Sequence, residues 1–233
     1  MVNYLPYLLL SLAIIMVISV KAKKLTTLAA LSATGLGIIV LQAAQLKGVF
    51  MLLSFFLLSV WATAHKKNIK TRLHADNLAS TGRNAGQVFA NGGVAGFTAI
   101  LAIIDPLHTD IYLIMMAASL ASALADTLSS ELGMVYGRRF YNIITFNKEA
   151  NGLDGVVSLE GLLIGTVGAC IIGLIYSGFQ KTGLIVIFAG ILGNLSDSVL
   201  GATLERKHKI GNNTVNFLNT LFAALVAMVM YLI

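Results

Sequence analysis

The chain has 233 residues, of which 57% are hydrophobic and 11% charged, and 16 Lys and Arg against 10 Asp and Glu give a net charge of +6. A soluble domain carries about a quarter charged residues, so this composition excludes a water-facing globular protein and predicts a membrane protein. The single Cys excludes an internal disulfide and a Cys-based metal centre, and the 4 His lack the HExxH spacing of a zinc site.

Taking about 20 apolar residues as one crossing of a bilayer, eight helices are predicted. The first, over 4–20, has no basic residues before it and is followed by Lys21, Lys23 and Lys24, so it reads as a retained helix rather than a leader. Helices over 25–46 and 48–64 follow, parted by Lys47. Residues 65–85 are charged enough to leave the bilayer and predict a short surface helix and a turn at Ser80-Thr81-Gly82.

The fourth helix, 86–104, opens on a polar face with Arg83, Gln87 and Asn91 four residues apart. The fifth, 111–133, closes on Asp126-Thr127-Leu128-Ser129-Ser130-Glu131-Leu132-Gly133, with Ser119, Ser122, Asp126 and Ser129 on one face. A connection over 134–155 carries Arg138, Arg139 and Lys148, then the turn Asn151-Gly152-Leu153-Asp154-Gly155, whose backbone N–H groups suit an anion. In the sixth helix, 156–177, Gly161, Gly165 and Gly168 predict close helix packing. Gly190, Asn194, Asp197, Gly201 and Glu205 form a stripe on the seventh, 183–205, with Ser198 beside Asp197. The eighth, 213–232, opens with Asn212, Asn213, Asn216 and Asn219.

With this count, fourteen of the 16 Lys and Arg fall in the odd-numbered connections, leaving only Lys47 and Lys181 on the other side. The positive-inside rule then puts both termini outside and every polar helix end on the cytoplasmic face. The expected fold is an all-α, polytopic bundle forming a single transmembrane domain over 1–233, in the cell membrane of a prokaryote.

An ionisable group inside a span costs about 2.5–3.5 kcal/mol on insertion scales and calls for a partner, a wet cavity or a function. Asp126 and Asp197, with neighbouring hydroxyls and amides, form a hard-oxygen set suited to Mg²⁺, which favours one or two carboxylates completed by waters and phosphates. Glu131 is a third candidate metal ligand. Asn91, Asn194, Asn212, Asn213 and Asn216, with Gln87 and Ser198, are candidate polar contacts for a nucleotide, and Arg83, Arg138 and Arg139 candidate phosphate clamps. Phosphoryl transfer suits such a site because it needs chiefly positioning and charge neutralisation. No GxxxxGK[ST] loop is present, which excludes a P-loop NTPase. The structural alternative for the Asp pair is an interhelical polar lock, and for the four His an interfacial role.

The segments Arg83-Asn84-Ala85-Gly86-Gln87-Val88-Phe89-Ala90-Asn91, Asp126 to Gly133, Asp197-Ser198-Val199-Leu200-Gly201-Ala202 and Asn212-Asn213-Thr214-Val215-Asn216 resemble, in that order, the family of transmembrane protein 19 and plant phytyl-phosphate kinase. The likeness covers about residues 80–220. It implies a CTP-dependent kinase that converts an isoprenyl monophosphate, such as phytyl or geranylgeranyl phosphate, to the diphosphate, with Mg²⁺ as cofactor and CTP as phosphoryl donor. Asp126 and Asp197 would then organise metal and triphosphate. Asp154 and Glu160 depart from the Gly-rich segment expected over 151–161. The implied partners are the lipid substrate, the nucleotide and membrane lipids, with no nucleic acid and with a homodimer as a further option.

The rival reading is a small ion-coupled transporter, which shares midplane carboxylates and Gly-broken helices. The scarcity of polar residues in the outward halves favours the enzyme. A repeat is suggested by Ala90-Asn91-Gly92 against Ala150-Asn151-Gly152.

Overall fold

The computed structural model describes residues 5–73 and 82–233. Its helices are α1 (Leu5–Lys21), α2 (Thr27–Ala64), α3 (Lys67–Leu73), α4 (Ala85–Ile104), α5 (Thr109–Tyr136), α6 (Leu159–Ser177), α7 (Lys181–Leu200) and α8 (Asn212–Leu232), with a ribbon of β1 (Tyr141–Asn142) and β2 (Val156–Val157). Six of the described helices, α2 and α4 to α8, are long and apolar enough to cross a bilayer. Helices suit that solvent because their backbone polar groups are satisfied within the segment. The protein is an integral membrane bundle.

Helix α2 carries the two predicted helices 25–46 and 48–64. Its residue Gln45 sits at φ 51° and ψ −141°, outside helical space. A straight helix would hold Val40 and Gly48 about 12 Å apart, yet a Cβ placed on Gly48 would lie 2.6 Å from Val40 Cγ1. The chain therefore folds back at Gln45 into two arms, and Gly48 supplies the bare backbone that the close approach requires. Helix α1, 17 residues long, packs on these arms. The surface helix expected within 65–85 is α3; Tyr4, His74 and the Ser80-Thr81 part of the predicted turn lie outside the described residues.

Two other boundaries differ from expectation. The sixth helix starts three residues late, because Val156 and Val157 pair as strand with Asn142 and Tyr141, and Ser158 then caps α6 by accepting a hydrogen bond from Gly161 N at 3.1 Å. The end of the seventh helix widens into a π turn over Gly201–Glu205, a form that recurs at functional sites. The suggested repeat is not structural, since Asn91 lies inside α4 whereas Asn151 sits in a turn before Gly152, whose φ is 92°.

Helix α5 runs through the centre, with Ile114, Met116, Leu120 and Leu124 fully buried. The predicted small-residue packing is present: a Cβ on Gly161 would lie 2.9 Å from Ser129 O, and one on Gly165 would lie 2.8 Å from Ala125 O. Helix α6 thus rides on the α5 backbone beside Asp126. Helix α7 approaches α5 in the same way, Gly190 facing Ala121. These close contacts hold the polar ends of α4 to α8 together at one end of the bundle. At that end Leu25 pairs with Arg83, joining the α1–α2 connection to the start of α4.

Candidate active site

Two polar cavities open at the end where these helices meet. The first, of about 400 Å³, lies under the 137–158 loop and is bordered by Asp126, Asp154, Asp197, Ser198 and Glu205. The second, of about 630 Å³, lies against the α2 arms and is bordered by Lys23, Lys24, Lys67, Arg83, Asn91 and Glu131. Asp126, Ser130, Met134 and Asn212 line both. One chamber is rich in carboxylates, the other in cations, and Asp126 stands at their junction.

The carboxyl groups of Asp126 and Asp197 adjoin each other at hydrogen-bonding range. Two carboxylates this close repel unless a proton or cation lies between them. Among the described residues, Lys70 pairs with Glu131 at 2.5 Å and Arg206 with Glu149 at 2.8 Å, while no Lys or Arg pairs with Asp126 or Asp197. Among the described residues the Asp pair therefore has no cation in direct contact, and Arg83 acts on Asp126 only at longer range.

Asp197 is oriented from behind. Asn219 Nδ2 donates to Asp197 Oδ1 at 2.5 Å, and Ser122 Oγ donates to Asn219 Oδ1 at 3.0 Å. Asn219 and Ser122 are fully buried, so this chain from α5 through α8 to α7 leaves Asp197 little freedom. It is also an interhelical link of the kind that a polar lock would make. Asp197 therefore serves structure through one oxygen and leaves the rest of its carboxyl group toward Asp126. Asn219 belongs to the predicted stripe of α8, and only the packing of α8 against α7 shows that it is the stripe member that meets Asp197.

Arg83 is half-buried between the α2 arms and α4, 5.8 Å from the Phe55 ring centroid. Burial pulls its guanidinium below the ordinary value, while Glu131 and Asp126 push it back up; an Arg in such a place stays charged. Asn84 and Gln87 form a reciprocal cap on α4, each bond 3.0 Å. Gln87 thus fixes the helix start as well as lining the basic chamber. Asn91 Nδ2 donates to Gln87 O at 3.0 Å, which leaves its carbonyl oxygen available.

Glu131 is held by Lys70, whose Nζ also donates to Ala62 O and Thr63 O at 2.8 Å. Lys70 thereby caps the carbonyl end of α2 and ties it to α5, giving Glu131 a structural partner that the sequence spacing did not reveal. Asn194 and Ser198 border the acidic chamber, Asn212 borders both chambers and Asn216 the basic one. Arg138 and Arg139 are exposed and outside both linings, and Arg138 N donates to Glu160 Oε2 instead. Asn213 also lies outside, against Gly86. The cations at the basic chamber are Lys23, Lys24, Lys67 and Arg83; in sequence the three Lys read only as topology signals.

The loop over the acidic chamber is internally tied. Asn142 Oδ1 accepts from Ile144 N and Thr145 N, Asn151 Nδ2 donates to Met134 O, and Arg206 bridges Glu149 and Asp154 O. Gly155, at φ 72°, passes so close to Ala202 in the π turn that no side chain fits there. The Gly-rich turn is therefore a wall of the chamber, with Asp154 on its surface.

A model of the DUF92 integral membrane proteins matches residues 10–224. The chain belongs to the DUF92 family. This is the family of transmembrane protein 19 and the prenyl-phosphate kinases, the one its ordered motifs resemble. It is 34% identical over 233 residues to the uncharacterized membrane protein MJ0933 of Methanocaldococcus jannaschii, covering 96% of this chain and 94% of that protein. It is 28% identical over 151 residues to the chloroplastic protein VTE6 of Arabidopsis thaliana, covering 60% of this chain and 44% of that one. It is 29% identical over 182 residues to the protein PGR of the same plant, covering 66% and 63%. No solved structure matches.

Proposed function

We propose that this DUF92 protein is a membrane prenyl-phosphate kinase, transferring the terminal phosphoryl group of a nucleoside triphosphate, CTP in the family's pattern, to an isoprenyl monophosphate. The observation that carries this reading is the adjoining Asp126–Asp197 pair, without an ion-pair partner among the described residues, at the junction of an acidic and a basic chamber. Membership of a family that includes plant phytyl-phosphate kinase, and the similarity to VTE6, support the reaction class.

The donor set fits Mg²⁺: two carboxylates with hydroxyl and amide oxygens around them, to be completed by phosphate oxygens and water. When bound, Mg²⁺ supplies charge neutralisation across the triphosphate. Asp126 and Asp197 hold that charge in place; Asn219 and Ser122 fix the orientation of Asp197. Arg83, Lys23 and Lys24 attract the anionic acceptor into the basic chamber.

In the transfer, an oxygen of the lipid monophosphate forms a bond to the γ-phosphorus as the bond to the β-phosphate bridging oxygen breaks. The products are the lipid diphosphate and the nucleoside diphosphate. The acceptor is already ionised, so no side chain is needed as a base, and positioning dominates. By the positive-inside rule, the chambers open to the cytoplasm, where the nucleotide is, while the tail stays in the bilayer.

The test is purified protein with Mg²⁺, labelled CTP or ATP, and phytyl or geranylgeranyl monophosphate, followed for labelled lipid diphosphate. Product with wild-type protein and none with Asp126→Asn is expected. No product with any nucleotide, together with solute flux in vesicles, would replace the kinase by a transporter.

A further inference from the structure

A third cavity touches the site from the side of the membrane. It is a narrow apolar slot of about 70 Å³ between the two arms of α2 and helix α4, with Met16 of α1 over it. Its wall is formed by residues such as Leu36, Leu52 and Phe56, and among the described residues its only polar side chains are Arg83 and Gln87, which also line the basic chamber. The acidic chamber shares no residue with it. The slot therefore runs from the apolar helix surfaces to a cation at the mouth of one chamber only. That sequence of surfaces is complementary to an amphiphile with an anionic head and an apolar tail.

The glycines of α4 shape the slot. A Cβ on Gly92 would lie 2.5 Å from Leu36 Cδ2, and one on Gly96 would lie 2.8 Å from Leu36 Cδ1. Leu36 is thus seated in a groove in α4 and kept out of the slot by the missing side chains. A cavity needs about 10–15 Å³ to hold one water, so a free space of about 70 Å³ has room for a small branched apolar group such as one isoprenoid unit.

We propose that the slot holds the head-proximal isoprenoid unit of the lipid substrate, with Arg83 at its mouth taking the lipid phosphate, so that the lipid enters by the basic chamber and the nucleotide by the acidic one. This rests on the kinase reading for the identity of the lipid. The rest of the tail leaves the slot for the bilayer, and the protein reads the first branched unit rather than the length of the chain.

The test uses the full-length protein and geranylgeranyl monophosphate carrying a photoreactive diazirine on its first isoprenoid unit. Labelling is expected on Leu36, Leu52 or Phe56, competed by unlabelled geranylgeranyl monophosphate and not by geranylgeraniol. The variant Gly92→Ala, which pushes the flexible end of Leu36 into the slot, is expected to raise KM for geranyl, farnesyl and geranylgeranyl monophosphates alike by about tenfold, the effect of one methylene in a fitted pocket. KM for the nucleotide stays unchanged, and Gly92→Ala with Leu36→Ala restores the lipid KM. Competed labelling in the slot without any diphosphate product would keep the slot and remove the kinase reading. Product formation with labelling elsewhere, or uncompeted by the monophosphate, would overturn the slot and leave the kinase standing.

Discussion

The acidic and basic chambers differ in how their charges are managed. On the basic side Glu131 is matched by Lys70, and Lys23, Lys24, Lys67 and Arg83 border the cavity. On the acidic side Asp126 and Asp197 adjoin, with the neutral donor Asn219 on Asp197, and Asp154 and Glu205 also border the cavity. A protein that wanted only a stable bundle would have interleaved these charges. Keeping them in two adjoining chambers leaves one side prepared for anions and the other for a cation, with Asp126 bordering both.

Changes to the Asp pair should disturb this contrast most. Asp126→Asn or Asp197→Asn is expected to lower turnover by about 10²–10³-fold, the scale of losing one electrostatic contact to a transition state, while membrane insertion and detergent-solubilised size stay normal. Arg83→Gln should raise KM for the lipid monophosphate by about 10–100-fold, corresponding to a charge-assisted hydrogen bond of about 1.5–3 kcal/mol, with less effect on the nucleotide. Asn219→Ala frees the Asp197 carboxyl and is expected to cost about tenfold in kcat, at the lower end for a partner behind a metal ligand. A matching Asn219→Asp change would add a third carboxyl group and shift the metal requirement.

Lys70→Met tests the managed side. Removing the partner of a half-exposed Glu131 should cost about 1–3 kcal/mol, read as a lowered unfolding temperature, and Lys70→Met with Glu131→Leu should recover most of it. Arg138→Ala and Arg139→Ala, both exposed and outside the chambers, should change activity by about twofold or less, in the range of solvent-screened charges.

Much of the fold was legible because bilayer physics writes itself plainly: long apolar runs, basic connections and polar helix ends. The stripes on α4, α5, α7 and α8 pointed to Asp126, Asp197, Asn91, Asn194 and Asn212, which border the two adjoining chambers, since residues three and four apart share a helix face. What periodicity could not supply was pairing between helices. Lys70 reaching Glu131, Asn219 reaching Asp197, and Glu160 accepting from the Arg138 backbone N–H each depend on the packing of separate elements. The fold-back at Gln45 was readable only as a break between apolar runs, and the ribbon that delays α6 involves just Val156 and Val157, too short for any alternation to show.

The opposite end of the bundle bears on the transporter reading. A cavity of about 330 Å³ there is bordered by Lys47, Asp110, Tyr176, Thr182 and Tyr231, so this end is less apolar than the sequence pattern predicts. Between it and the Asp pair, α5 presents Ile114, Met116, Leu120 and Leu124, all fully buried. A transporter would have to open that packed layer, whereas a kinase needs it closed.

The central claim is that a divalent cation bound at Asp126 and Asp197 is the meeting point of the two phosphate-bearing substrates. Electron paramagnetic resonance of Mn²⁺ bound to the purified protein measures this most directly. The account predicts a tight Mn²⁺ site in the presence of nucleoside triphosphate, phosphorus couplings from both nucleotide and lipid monophosphate, and loss of the signal in Asp126→Asn. A Mn²⁺ signal unchanged in Asp126→Asn and Asp197→Asn, or one without coupling to either substrate, would contradict it.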